Sequence, residues 1–126
     1  MLDSLKFKRM HNFQNLKIWQ KAMDIVVKTY LISAEFPPEE KFGLTSQIRR
    51  SAVSITSNIA EGSGRNTDGE FKNFLGIANG SSNELCAQLI LSQSLNLISK
   101  EQVQPLIDEL IKVQKMNYTL IKKFSK

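Results

Sequence analysis

The chain has 126 residues, 17 lysines and arginines against 12 acidic residues for a formal net charge of +5, one cysteine and one histidine. A chain of this length makes one domain, burying roughly two thirds of its unfolded surface without covalent staples. Cys86 alone excludes an internal disulfide, and with His11 it makes no zinc-ligand cluster, so no metal or other cofactor is expected.

Residues 1–15, MLDSLKFKRMHNFQN, mix charged and apolar groups and read as a basic tail, carrying Lys6, Lys8 and Arg9, ahead of a domain over residues 16–126. They lack the continuous apolar stretch of a signal peptide. Later apolar runs are broken within a few residues, as at Lys28, and are too short to span a bilayer. A soluble, cytoplasmic protein with no membrane contact is the expectation, and its positive charge favours anionic partners without choosing one.

Four segments repeat apolar residues at helical spacing and none alternates like a strand, so an all-α chain is predicted. In the first, about residues 16–36, Trp19, Met23, Val26 and Tyr30 share one face, and Ile18, Ile25 and Ile32 form a second row. Together they exceed the ~100° stripe that a surface helix buries. Either the helix lies against two neighbours or the isoleucine row meets another subunit, which makes Ile18, Ile25 and Ile32 candidate interface residues. Phe36-Pro37-Pro38 ends the helix, because proline disfavours helical geometry in the residue before it and has no amide to donate.

The second segment carries a bundle seam at Leu44, Ile48, Ala52, Ile55 and Ile59, flanked by Gln47, Arg50, Ser51, Ser54, Asn58 and Glu61. It runs into SNIAEGSGR, residues 57–65. A phosphate-cradling loop would open the following helix with its glycines and end in GK[ST]; here Gly62 and Gly64 close the preceding helix, where a left-handed C-terminal cap is expected. Thr67-Asp68-Gly69-Glu70 then reads as a capping box, with two carboxylates occupying the helix terminus a phosphate would need.

The third segment buries Phe71, Phe74, Leu75, Ala78, Leu85 and Leu89, with Cys86 at the edge and Gly76 and Gly80 on another side. Each interior glycine costs a helix about 1 kcal/mol relative to alanine. Close approach of a second backbone, within the bundle or across a subunit contact, is the expected compensation. The fourth segment, about residues 100–123, turns Leu106, Leu110, Val113, Leu120, Ile121 and Phe124 inward with Asn117 among them. Ser99 to Gln102 resembles a capping box, but Pro105 argues for a later start or a bend.

Short connections imply an antiparallel up-down-up-down four-helix bundle. Its ends then differ in charge: Lys6, Lys8, Arg9, Lys17, Arg65, Lys72, Lys122, Lys123 and Lys126 gather at one, and Glu35, Glu39, Glu40 and Glu101 with Lys41 and Lys100 at the other. Lys112, Lys115, Lys122, Lys123 and Lys126 share one sector of the last helix, and no acidic residue follows Glu109. That sector is either a phosphate-binding face or a solvated lysine face favoured by the helix dipole. No aromatic residue is read as interleaving with the lysines for stacking, so binding through phosphates and shape is expected. Pairing of the second and third helices brings Arg49 or Arg50 near Glu84, a structural ion pair that sets register. With no histidine beside the carboxylates there is no general acid and base to assign, and an enzyme is not expected.

From Phe13 to Ser99 the chain resembles the bacterial four-helix-bundle proteins first found encoded within intervening sequences of 23S ribosomal RNA genes. The resemblance rests on Phe13, Leu16 and Trp19, on FPPEEKFGLTSQIRRSAVSITSNIAEGSGR from Phe36 to Arg65, and on IANGSSNEL from Ile77 to Leu85. It implies a compact antiparallel bundle assembling into a ring-shaped homopentamer. That family is also similar in fold to the accessory proteins of diversity-generating retroelements, basic pentamers that bind a reverse transcriptase and nucleic acid. The resemblance implies no enzymatic activity and no catalytic residue. A homo-oligomer that associates with RNA or DNA is the leading expectation; a protein-interaction or scaffold module, with a partner such as a reverse transcriptase, is the rival.

Overall fold

The computed structural model describes residues 12–125. All four expected helices form: α1 Lys17–Ser33, α2 Leu44–Ser63, α3 Asp68–Ser94 and α4 Lys100–Lys123, with single 3-10 turns at Phe13–Asn15 and Pro38–Glu40 and no strand among the described residues. Their boundaries follow local chemistry. α1 stops at Ser33, short of the proline pair, and the Ala34, Glu35 and Phe36 amides turn back onto the Tyr30, Ile32 and Ser33 carbonyls. Phe36 is thereby buried at the end of the bundle.

At the start of α3, the Thr67 hydroxyl accepts from the Glu70 amide at 3.1 Å. The Glu70 carboxylate accepts from the Thr67 hydroxyl and not from its backbone, so only half of the expected capping box exists. The box before α4 is complete: Ser99 Oγ accepts from the Gln102 amide and Gln102 Oε1 accepts from the Ser99 amide, each at 3.2 Å. This reciprocal pair starts α4 at Lys100, ahead of Pro105, contrary to a later start. The amide that Pro105 lacks would have reached the Glu101 carbonyl, on an exposed turn where water can replace it.

Cross-helix contacts fix the topology. Ser51 reaches Gln88, Ser54 reaches Ser81 and Gly62 meets Phe71 and Phe74, so α2 and α3 run antiparallel. Gln114 reaches Ser82 while Lys72 reaches Ser125, which opposes α3 and α4. Lys28 pairs with Glu109 at 2.6 Å, and Leu16 to Ile18 lie beside Met116 to Leu120, which opposes α1 and α4. With α1 also packed on α2, the result is an up-down-up-down four-helix bundle. The core between the helices contains Ile48, Ala52, Ile55 and Ile59 of the α2 seam, Leu75, Ala78, Leu85 and Leu89 of α3, and Val103, Leu106, Leu110 and Val113 of α4.

The row that α1 buries is Ile18, Ala22, Ile25, Thr29 and Ser33. Ile18 and Ile25, expected at a subunit interface, belong instead to this subunit's own core, and Ile32 is half-buried against it. Their row carries the small side chains Ala22, Thr29 and Ser33, which let the neighbouring helices approach. Met23, Val27, Tyr30 and Leu31 are left facing outward.

The glycines also divide. None has a positive φ, and Gly64, with φ −86, ends α2 in right-handed geometry, so the left-handed cap does not occur. Gly62 is buried inside α2, where an added Cβ would lie 2.6 Å from Phe74 Cβ and 2.9 Å from Phe71 Cδ1. It is the glycine that lets α2 and α3 touch. Gly76 and Gly80 are exposed with nothing within 4 Å of an added Cβ, so no backbone of the bundle approaches them.

Candidate functional site

Among the described residues, the outer surface of α4 collects four of the six basic candidates. Lys112, Lys115, Lys122 and Lys123 are exposed, and Lys17, the first residue of α1, is exposed at the same end of the bundle as Lys122 and Lys123. Between these ends lies an apolar groove of about 270 Å³, lined by Leu16, Lys17, Ile18, Met116, Thr119 and Leu120. Lys6, Lys8, Arg9 and Lys126 fall outside the described residues. Glu109, the last carboxylate of the chain, is engaged by Lys28 across the α1–α4 seam. The final half of α4 is therefore a cationic surface with no acidic side chain of its own.

Other basic residues are committed internally. Arg65 pairs with Glu61 at 2.7 Å and lies 4.8 Å over the Phe74 ring, fixing the end of α2 against the start of α3. Lys72, half-buried, points toward the Ser125 hydroxyl at 3.4 Å. Phosphate competes with these partners at Arg65, whereas the α4 lysines other than Lys123, which lies 5.8 Å from the Phe124 ring, stand clear.

Arg49 and Arg50 separate by direction. Arg50 reaches Glu84 at 3.6 Å, an exposed pair worth about 0–1 kcal/mol. Arg49 does not share it: its Nε donates to Ser33 Oγ at 2.8 Å, its Nη2 to the Tyr30 carbonyl at 3.4 Å, and its guanidinium lies 4.5 Å over the Tyr30 ring. Successive helical residues point about 100° apart, so one arginine turns to α3 and the other to the negative end of α1, where it shares the Tyr30 carbonyl with the Ala34 amide.

The polar sector of α2 faces α3. Ser51 is fully buried, its hydroxyl 3.0 Å from Glu84 Oε1 and 2.9 Å from Gln88 Oε1 and able to donate to one of them. Ser54 bonds Ser81 at 2.8 Å, and Asn58 donates to the Ser54 carbonyl at 2.8 Å. These short side chains satisfy one another where the helices are close. Every partner is a neighbour within the chain, the arrangement of a register-setting seam.

Two features escaped the sequence reading. Tyr118 is 68% exposed on α4, three residues after Lys115 and four before Lys122, so an aromatic ring does interleave with the lysines. The i−3 and i+4 spacing was present in the chain and is its only sequence signal. Phe42, in the α1–α2 connection, is 89% exposed, and nothing in its spacing marks it. Among the described residues no three His, Cys, Asp or Glu side chains gather to hold a metal ion, and no helix is long and apolar enough to cross a membrane.

Comparison with known proteins agrees with this architecture. A solved protein of unknown function from the S23 ribosomal protein family of Bacteroides thetaiotaomicron VPI-5482 superposes with a TM-score of 0.75 and 26% identity, over 83% of this chain and 98% of its own. No curated protein matches the sequence. The model of the 23S rRNA-intervening sequence proteins matches residues 14–119, from the turn ahead of α1 to the last turns of α4, and the chain belongs to that family.

Proposed function

We propose that this chain is a non-enzymatic, self-associating helical bundle that binds RNA or DNA through the basic face of α4. The observation that supports the reading most is the run Lys112, Lys115, Lys122 and Lys123, exposed together with no acidic side chain after Glu109, which is itself paired. Lysines so placed neutralise phosphates and release counterions, giving affinity without sequence choice. Absence of chemistry is part of the reading: the carboxylates of the α2–α3 seam hold structural bonds, and no acid and base converge on one reacting centre.

Reversing Lys115, Lys122 and Lys123 to glutamate tests it. Measured by fluorescence anisotropy on a structured RNA and a matched DNA duplex over a salt series, the wild type should lose affinity steeply with salt. Its log-log slope should fall by about 0.7–0.9 for each phosphate contact removed. Circular dichroism should stay helical, because these side chains are exposed. A triple variant that binds like the wild type would remove the reading and leave a solvated lysine face.

A second reading is favoured by Phe42 and by the outward Val27 and Leu31 of α1. Exposed apolar surface marks protein-interaction sites, so in this reading the bundle serves as an interaction or scaffold module, with a reverse transcriptase among the partners the family resemblance implies. Retention of a specific protein after nuclease treatment separates it from the first reading.

A further inference from the structure

We infer that Tyr118 is a base-stacking platform for single-stranded nucleic acid, with Lys115 and Lys122 holding phosphates on either side of the stacked base. The inference rests on the nucleic-acid reading above and gives it a ligand class. Residues 115, 118 and 122 are spaced i, i+3 and i+7, so they share one helical face, and the backbone positions of the two lysines lie about 10 Å apart along the axis on either side of the tyrosine. Both lysines are exposed, and the ring is 68% exposed.

The ring is not engaged by the fold. Tyr30 lies under Arg49, Phe74 under Arg65, Phe13 packs edge-on against Trp19, and Phe71 meets Phe124. Tyr118 makes no hydrogen bond, ring contact or cation–π contact among the described residues. An exposed aromatic surface held on a rigid helix is what a base needs in order to stack without prior ordering of a loop.

There is also room beside it. Gln114, one turn earlier on the same row, reaches Ser82 and Asn83 of α3, and Ser125, two turns later, is reached by Lys72. This antiparallel register puts Asn79 level with Tyr118, and Gly76 and Gly80 within one turn of that level. Neither glycine carries a side chain, and a Cβ at either would meet nothing within 4 Å. The α3 surface within a turn of the ring's level is therefore low at Gly76 and Gly80.

Such a site selects for strand state. In a duplex the base faces are already stacked on one another, so a ring on a convex helix gains contact only with an unpaired base. The lysines attract phosphates of any strand, and the tyrosine adds affinity only where a base is free. The shared chemistry is an unpaired base between two phosphates, in RNA or in DNA.

The test compares wild type, Tyr118→Ala and Tyr118→Phe on labelled oligouridine RNA, oligothymidine DNA and a duplex of the same length, by anisotropy across a salt series. Tyr118→Ala should weaken one or both single strands about tenfold, leaving duplex affinity, the salt slope and Tm unchanged. Tyr118→Phe should bind as the wild type, since the face of the ring and not its hydroxyl is used. Alanine neutral on both single strands, or an equal loss on the duplex, overturns the stacking role. If the wild type still binds with a steep salt slope, the phosphate reading survives that result; if it binds none of the three, both fall together.

Discussion

Asn117 is 2% exposed, and its amide is only half used: Nδ2 donates to the Leu75 carbonyl at 2.9 Å, while Oδ1 is buried with no hydrogen-bond partner among the described residues. The two halves set opposite expectations for substitution. Asn117→Asp removes the donor and leaves a carboxylate beside a carbonyl, and should destabilise by about 3 kcal/mol or more in urea unfolding. Asn117→Leu removes the donor and the unsatisfied acceptor together at similar volume and should lie within about 1 kcal/mol of wild type. A large loss for leucine would show that the bond to Leu75 outweighs the buried oxygen. Polarity in the middle of an apolar stripe was legible from the spacing of α4; which carbonyl it meets depends on the register of α3.

At the scale of the helices, Gly62 and Gly80 should respond with opposite sign to the same change. Alanine gains about 1 kcal/mol of helix propensity over glycine. At Gly62 the new methyl meets the fixed Cβ of Phe74, not the movable end of a side chain, so Gly62→Ala should cost about 1–3 kcal/mol net. Gly80→Ala meets open space and should stabilise by about 0.5–1 kcal/mol. Thermal unfolding separates them, with Tm falling for the first and rising by a few degrees for the second. The sequence reading puts Gly62 at a helix cap and Gly80 at a close backbone approach, and the packing reverses the two. The difference lies in whether a neighbouring helix occupies the space. The same holds in α1, where two apolar rows compete and only the row with Ala22, Thr29 and Ser33 admits close packing.

For the whole molecule, apolar surface remains uncovered. Leu31 is 68% exposed beside a groove of about 230 Å³ that it lines with Lys28, Ile32, Gln102, Pro105, Leu106 and Glu109, and Val27 lies one turn away. Self-association through this outward face of α1, in place of the isoleucine row, is the expected consequence. Sedimentation velocity should find the wild type larger than a monomer, a pentamer if the family resemblance holds in full. Leu31→Glu should shift it toward monomer with helicity retained. A monomeric wild type at tens of micromolar would mean that the face is free for another partner.

Helix number, the α2 seam, the break at Phe36-Pro37 and the N-cap at Thr67 were determined by the sequence alone, because each depends on residues within a few turns of one another, whereas the Ser99 box is visible there but set aside on account of Pro105. The basic sector of α4 was legible for the same reason: four lysines on one helix need no partner to share a face. Tertiary structure decided which row of α1 faces inward, that Arg50 and not Arg49 meets Glu84, that Gly62 is a contact while Gly76 and Gly80 are not, and that Tyr118 is left uncovered. Those outcomes depend on separations of tens of residues, and they are set by which helix lies alongside, a quantity that local periodicity does not carry.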